Sequence, residues 1–286
     1  MSLAPGSGKT HILYHLTAVA VLPKAFGGAQ ACVVIVDTDG KFSVTRLATQ
    51  IRTVISGGRS SNTVSDIERV TLTALEHVHI LRPQTLTSTT ATIRSIPEYL
   101  FNAQEHHSFE RKVAFVALDS LTSFYWQTKA ENEHADLLSS TTAGMNAVQN
   151  SASYAQLAGA TQYMAKLLQC PVIITAQYQG PPKRPWNTDA PPDAYSFRSP
   201  LPPPWGVLPV LRLVTLREAV RKIPAGVSLT EARREAPDRQ AILDQGRFGC
   251  FVNEYGLDES IASRLRVLNA TLAFFAREGG LTLSAG

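Results

Sequence analysis

Pro5-Gly6-Ser7-Gly8-Lys9-Thr10 stands near the head of the chain. It runs straight into His11-Ile12-Leu13-Tyr14-His15-Leu16, where apolar residues recur at helical spacing. A loop that wraps a phosphate needs glycines, because its amides must turn inward on the anion through a bend that Cβ atoms would obstruct. The following helix offers its unpaired amides and positive dipole end to the same phosphate. In such a Walker A loop Lys9 reaches the β- and γ-phosphate oxygens, and the Thr10 hydroxyl holds Mg²⁺. The fuller pattern GxxxxGK[ST] places a glycine at position 3, where this chain has Leu3. No strand precedes the loop in the sequence, which predicts that the recorded start lies inside a longer reading frame.

Beyond the loop, short apolar runs alternate with longer helical stretches. Strands are expected at Ala31–Val36, Val78–Leu81, Val113–Leu118 and Val172–Ala176. Their Val, Ile and Leu do not alternate with polar residues, as expected of parallel strands covered on both faces. Helices are expected at Lys9–Leu22, Val44–Ile55, Ser65–Glu76, Thr90–Gln104 and Gly144–Leu168, and Pro23 stops the first. The pattern predicts one α/β domain over residues 1–286: a mostly parallel sheet with helices on both faces that lacks its first strand. Gly57–Asn62 reads as a mobile surface loop. Val210–Leu216, Cys250–Val252 and Thr271–Ala276 read as further, antiparallel strands around a charged helical insertion at Ser228–Gln245.

Three of the strands end in polar groups. Val33-Val34-Ile35-Val36 leads into Asp37-Thr38-Asp39-Gly40, Val113–Leu118 into Asp119-Ser120, and Val172-Ile173-Ile174 into Thr175-Ala176-Gln177. Ligands of parallel sheets bind beyond the carboxyl ends of the strands, the side on which a phosphate loop also sits. Asp119 fits the carboxylate that holds magnesium through its water shell. Asp39 is placed to orient or deprotonate an attacking water. Gln177 is placed to sense the γ-phosphate.

The composition narrows the choice of class. The 286 residues are 44% hydrophobic and 17% charged, which excludes wholesale disorder, and no apolar run is long enough for a membrane span. Cys32, Cys170 and Cys250 are too few and too widely spaced for a disulfide framework or a zinc site, and fit buried thiols in a reducing compartment. The seven histidines show no metal spacing, and His106-His107 falls in an expected loop as an incidental pair. Residues 1–143 carry 12 basic and 12 acidic side chains, so the whole net charge of +4 belongs to residues 144–286.

The loop, the segment VDTDGKFSVTRL at Val36–Leu47, the segment LDSLTSFYW at Leu118–Trp126 and the segment ITAQ at Ile174–Gln177 together resemble the RecA-type recombinases. Within them, LYHLT at Leu13–Thr17 and Phe124-Tyr125-Trp126 look like the eukaryotic recombinase paralogues of the X-ray repair cross-complementing type. The likeness covers residues 5–177 well and the remainder loosely. It implies a RecA-like ATPase core that binds ATP and Mg²⁺. Such a core works in homologous recombination, within a nuclear complex of paralogue subunits that assists the strand-exchange filament. Carried over by position, Pro5 to Thr10 bind the nucleotide, Thr10 and Asp119 the metal, and Gln177 senses phosphate. Active recombinases have glutamate where this chain has Asp39, which implies slow hydrolysis at best, since positional errors near 1 Å can cost about 10²-fold in rate. A self-sufficient DNA-stimulated ATPase that forms its own filament is the alternative reading.

Ten of the 17 prolines fall between Tyr178 and Pro209, a density no central strand tolerates. RecA-like proteins place a mobile loop there that contacts single-stranded or branched DNA. Here the segment mixes Lys183, Arg184 and Arg198 with Trp186, Tyr195 and Phe197, cations to follow phosphates and rings to stack on bases. The same composition fits a spacer or a protein-binding segment. Arg212 and Arg217 are expected in or beside a strand, facing a neighbouring subunit. Arg233-Arg234 reads as a solvated helix face.

Overall fold

A computed structural model describes residues 6–58, 63–125, 127–128, 130, 143–177, 202, 204–217, 226–254, 258–267 and 271–283. Four parallel strands, β1 (Cys32–Asp37), β2 (Val78–Leu81), β3 (Val113–Asp119) and β4 (Val172–Ile174), form a sheet in the order β2-β1-β3-β4. The chain leaves β1 for β2 on one side and returns to β3 on the other. The strand order therefore reverses between β1 and β3, where Asp37 pairs with Asp119. Crevices for ligands open at such reversals.

All six residues of β1 are buried, because helices cover both faces of the sheet. Val33 and Ile35 pack with Leu13, Ala18 and Val21 of α1 (Lys9–Val21), Leu47 and Ile51 of α2 (Val44–Gly58), and Val70 of α3 (Val64–Leu75). Val34 and Val36 point the other way, into Ile93 and Ile96 of α4 (Leu86–Phe101) and Leu157 and Met164 of α5 (Ala143–Leu168). The period-two alternation of side chains along β1 thus feeds two cores from one uninterrupted apolar run.

The helix ends have local causes. α1 stops because Leu22 precedes Pro23 and takes an extended conformation, φ −61° and ψ 144°. α4 begins four residues before the expected Thr90, because Thr85 and Ser88 form a reciprocal capping box. It ends at Phe101, before the expected Gln104, where the His106 ring nitrogen Nε2 lies 3.2 Å from the Tyr99 and Leu100 carbonyls. His106 falls in a loop, as expected, and its ring meets the carbonyls at the end of α4. Gly57 and Gly58 continue α2 instead of opening a loop.

A second sheet, antiparallel in the order β5-β6-β7-β8, comprises β5 (Leu213–Arg217), β6 (Arg247–Val252), β7 (Thr271–Arg277) and β8 (Gly280–Leu283). Between β5 and β6 lies α6 (Leu229–Asp244), which buries none of its residues, and between β6 and β7 lies α7 (Glu259–Val267). Arg233 and Arg234 are exposed on α6, as expected of a solvated face. Gln50 of α2 joins the sheets, donating to the Leu281 carbonyl at 3.1 Å and accepting from its amide at 2.5 Å. All three cysteines are buried free thiols, and burial pushes Cys32 and Cys250 up to about 11.

Candidate nucleotide site

Gly6 and Gly8 adopt positive φ, 78° and 86°, and Gly8 is the residue from which α1 springs. That backbone turns the loop onto the helix end, as the glycines of a phosphate cradle must. Pro5 lies outside the described residues. Lys9 Nζ donates to Ser7 Oγ at 3.0 Å. Burial lowers the Lys9 pKa, while Asp119 and then Asp39 oppose the shift, so both carboxylates lie within electrostatic reach of the ammonium.

The Thr10 hydroxyl donates to Asp119 Oδ2 at 3.3 Å, across 109 residues of sequence. The buried Thr175 hydroxyl donates to Asp119 Oδ1. Asp119 is 4% exposed, and burial raises its pKa against these hydroxyls, with Asp39 and Asp37 pushing the same way. A hydroxyl and a carboxylate at a helix N-terminus form an all-oxygen donor set, which suits Mg²⁺ shared with phosphate oxygens. Among the described residues no cluster of three or more His, Cys, Asp or Glu could hold a metal ion.

The two aspartates at and just beyond the end of β1 do different work. Asp37 is 1% exposed and accepts from the amides of Lys41 and Phe42 at 3.1 and 3.2 Å and from Arg82 Nε at 3.1 Å, so it folds the turn around itself. Asp39 stands further out, and Lys41 Nζ pairs with its Oδ2 at 3.1 Å. Thr38 laces the ends of β1 and β3 together: its amide donates to the Asp119 carbonyl at 2.8 Å and its hydroxyl accepts from the Ser120 amide at 2.9 Å. Gln177 lies three residues past β4, and its backbone N–H donates to Thr122 Oγ1 at 2.9 Å. The loop, Thr10, Asp39 and Asp119 come together, and Gln177 is held to the segment that follows β3. Lys183, Arg184, Trp186 and Arg198 lie outside the described residues.

Several contributors carry no motif. Phe248 and Phe274 stack at 5.1 Å with planes 7° apart, and a Cβ on Gly8 would lie 2.8 Å from Phe274 Cζ. Beside α1 opens a cleft of about 790 Å³ lined by His11, Tyr14, Arg46, Gln50, Arg217, Arg277 and Glu278. Burial and the nearby Arg46 lower the His11 pKa, which favours a neutral imidazole. Arg212 and Arg217 have partners within the chain: Arg212 donates to the Gly206 carbonyl, and Arg217 donates to the Leu243 carbonyl at 3.0 Å, near the end of α6. The spacing of glycine and lysine signals the loop, whereas only tertiary contact reveals the phenylalanines.

No family model matches the chain. It is 32% identical over 121 residues to the DNA repair protein XRCC2 of Mus musculus, covering 42% of this chain and 38% of that protein. It is 27% identical over 173 residues to the DNA repair protein RAD51 homolog 2 of Homo sapiens, covering 60% of this chain and 39% of that one. The chain is a relative of the RAD51-paralogue recombinases. A third relative, RAD51 homolog 3 of Cricetulus griseus, is 28% identical over 125 residues, or 41% of the chain and 32% of the relative. The chain thus spans under two-fifths of the length of each of these three relatives. Its helix-covered parallel sheet with an antiparallel companion is a RecA-like α/β fold.

Proposed function

We propose that the chain binds ATP with Mg²⁺ at Gly6–Thr10 and acts in the repair of DNA double-strand breaks by homologous recombination. In this reading it is a nuclear subunit of a recombinase-paralogue complex that assists the strand-exchange filament. The observation that carries the nucleotide reading is the Thr10–Asp119 contact at the N-terminus of α1, beside the Lys9 ammonium. The loop amides and Lys9 bind the phosphates, and Thr10 with Asp119 holds the metal. Bound Mg²⁺ supplies charge neutralisation on the phosphate oxygens. The adjoining cleft, floored by His11 and Tyr14 one and four residues past Thr10, has room for a nucleoside.

Binding outweighs turnover in this proposal. The Asp39 carboxylate is one methylene shorter than the glutamate of active recombinases, and Lys41 occupies one of its oxygens. Titration with a fluorescent ATP analogue should saturate and should weaken when Mg²⁺ is withdrawn, while hydrolysis stays slow. Rapid turnover abolished by Asp39→Ala would contradict the proposal. The mass of the chain in solution, with and without ATP and single-stranded DNA, tests the assembly. A species that needs a paralogue for stability fits the complex, and nucleotide-dependent filaments fit a self-sufficient recombinase. DNA contact through Lys183, Arg184, Trp186 and Arg198 belongs to the same proposal, and their joint replacement by alanine should weaken single-strand binding.

A further inference from the structure

Thr215 sits in the middle of β5, opposite Cys250 of β6, with Leu213, Val214 and Leu216 around it in the strand. It is fully buried at 0% exposure, where a valine would fill the same space. A buried hydroxyl costs free energy unless it is hydrogen-bonded, so its partner matters. That partner is in the phosphate loop: Thr215 Oγ1 donates to Ser7 Oγ at 3.3 Å. Ser7, itself 5% exposed, also accepts from Lys9 Nζ at 3.0 Å.

A serine hydroxyl has two acceptor sites and one proton. With Thr215 and Lys9 occupying both acceptor sites, Ser7 can only donate. We infer that Thr215 is a positioning residue for the phosphate loop, fixing Ser7 as a hydrogen-bond donor to a bound phosphate oxygen and steadying Lys9 beside it. The inference rests on the ATP reading of the loop and adds to it a residue from the other sheet, more than 200 positions away in sequence.

The test uses the 286-residue chain and fluorescent analogues of ATP. Thr215→Val should raise the dissociation constant about 5- to 10-fold, the worth of one hydrogen bond between neutral hydroxyls. Thr215→Ser should restore wild-type affinity. Ser7→Ala should lose as much as Thr215→Val, and the double variant should be no weaker than Ser7→Ala alone, because the two act as one unit. Unchanged affinity in Thr215→Val, or additive losses in the double variant, would overturn the inference. Should Thr215→Val fail to fold, Thr215→Ala is measured in its place, with unchanged affinity as the overturning result. A wild-type chain with no saturable uptake would overturn the ATP reading and this inference together. Wild-type binding that Thr215→Val leaves unmoved overturns only the inference.

Discussion

The two sheets flank the Gly6–Thr10 loop and bring it different things. The parallel sheet offers its strand ends: Asp119 from β3, Asp39 beyond β1 and the Thr175 hydroxyl beyond β4. The antiparallel sheet offers the side of its strands: the Phe248–Phe274 stack under Gly8 and the Thr215 hydroxyl on Ser7. Charge arrives from strand ends because the backbone there opens onto the crevice. Position arrives from strand faces because only a packed face can hold a glycine turn still. The chemistry of the loop and its geometry are therefore separable by mutation.

The largest effect expected from breaking this division is on folding. Phe274 is 0% exposed, and Phe274→Ala should cost about 3–5 kcal/mol in urea denaturation. A midpoint that held would mean that the second sheet is a mere appendage. Gly8→Ala comes next, since it places a Cβ 2.8 Å from Phe274 in a left-handed backbone, for a stability loss of about 2–4 kcal/mol. Lys9→Ala should spare stability and cut affinity for an ATP analogue about 10- to 100-fold, equivalent to about 1.5–3 kcal/mol of charged hydrogen bonding. Equal effects of Lys9→Ala on unfolding and on binding would erase the distinction between the sheets.

The smallest effect sharpens the comparison from the far rim of the parallel sheet. There the His79 ring bonds Tyr99 and Ser108 at 2.9 Å, with His77 and His106 facing it. Burial, then His106 and His77, pushes its pKa from 6.5 to about 4. A histidine held neutral in this way contributes stability above pH 6.5 and loses it progressively as the pH falls towards 4. The slope should approach about 1.4 kcal/mol per pH unit, and His79→Gln should flatten it. Nucleotide affinity of the protein still folded should not follow that slope, because the cluster lies at the opposite end of the strands.

Much of the parallel half was legible because a strand covered on both faces is an unbroken apolar run. β1, β2 and β3 fall within a residue of where Val, Ile and Leu place them. The antiparallel half was less so. β8 is four residues long with Leu281 its one fully covered side chain, and α7 buries only Ala262 among its side chains in view, so neither prints a clear period. α4 starts ahead of its apolar pattern because Thr85 and Ser88 cap it through hydroxyls. At the site, the position of Asp119 followed from its place at a strand end. Thr175, Thr215 and Phe274 could not be foreseen, since each matters only for what folding brings against it.

Asp37 illustrates a hazard for anyone dissecting this loop by alanine replacement. Its carboxylate is spent on two amides of its own turn and on the Arg82 guanidinium beyond β2. Removing it would uncap that turn and leave Arg82 without a counter-ion, and Asp39 would drift as a result. An activity assay alone would record the damage as a missing catalyst, although the carboxylate is already committed to these three donors. The two acids of the DTD triplet differ in this, one a keystone of the turn and the other standing further out, and a folding measurement run beside the activity assay tells them apart.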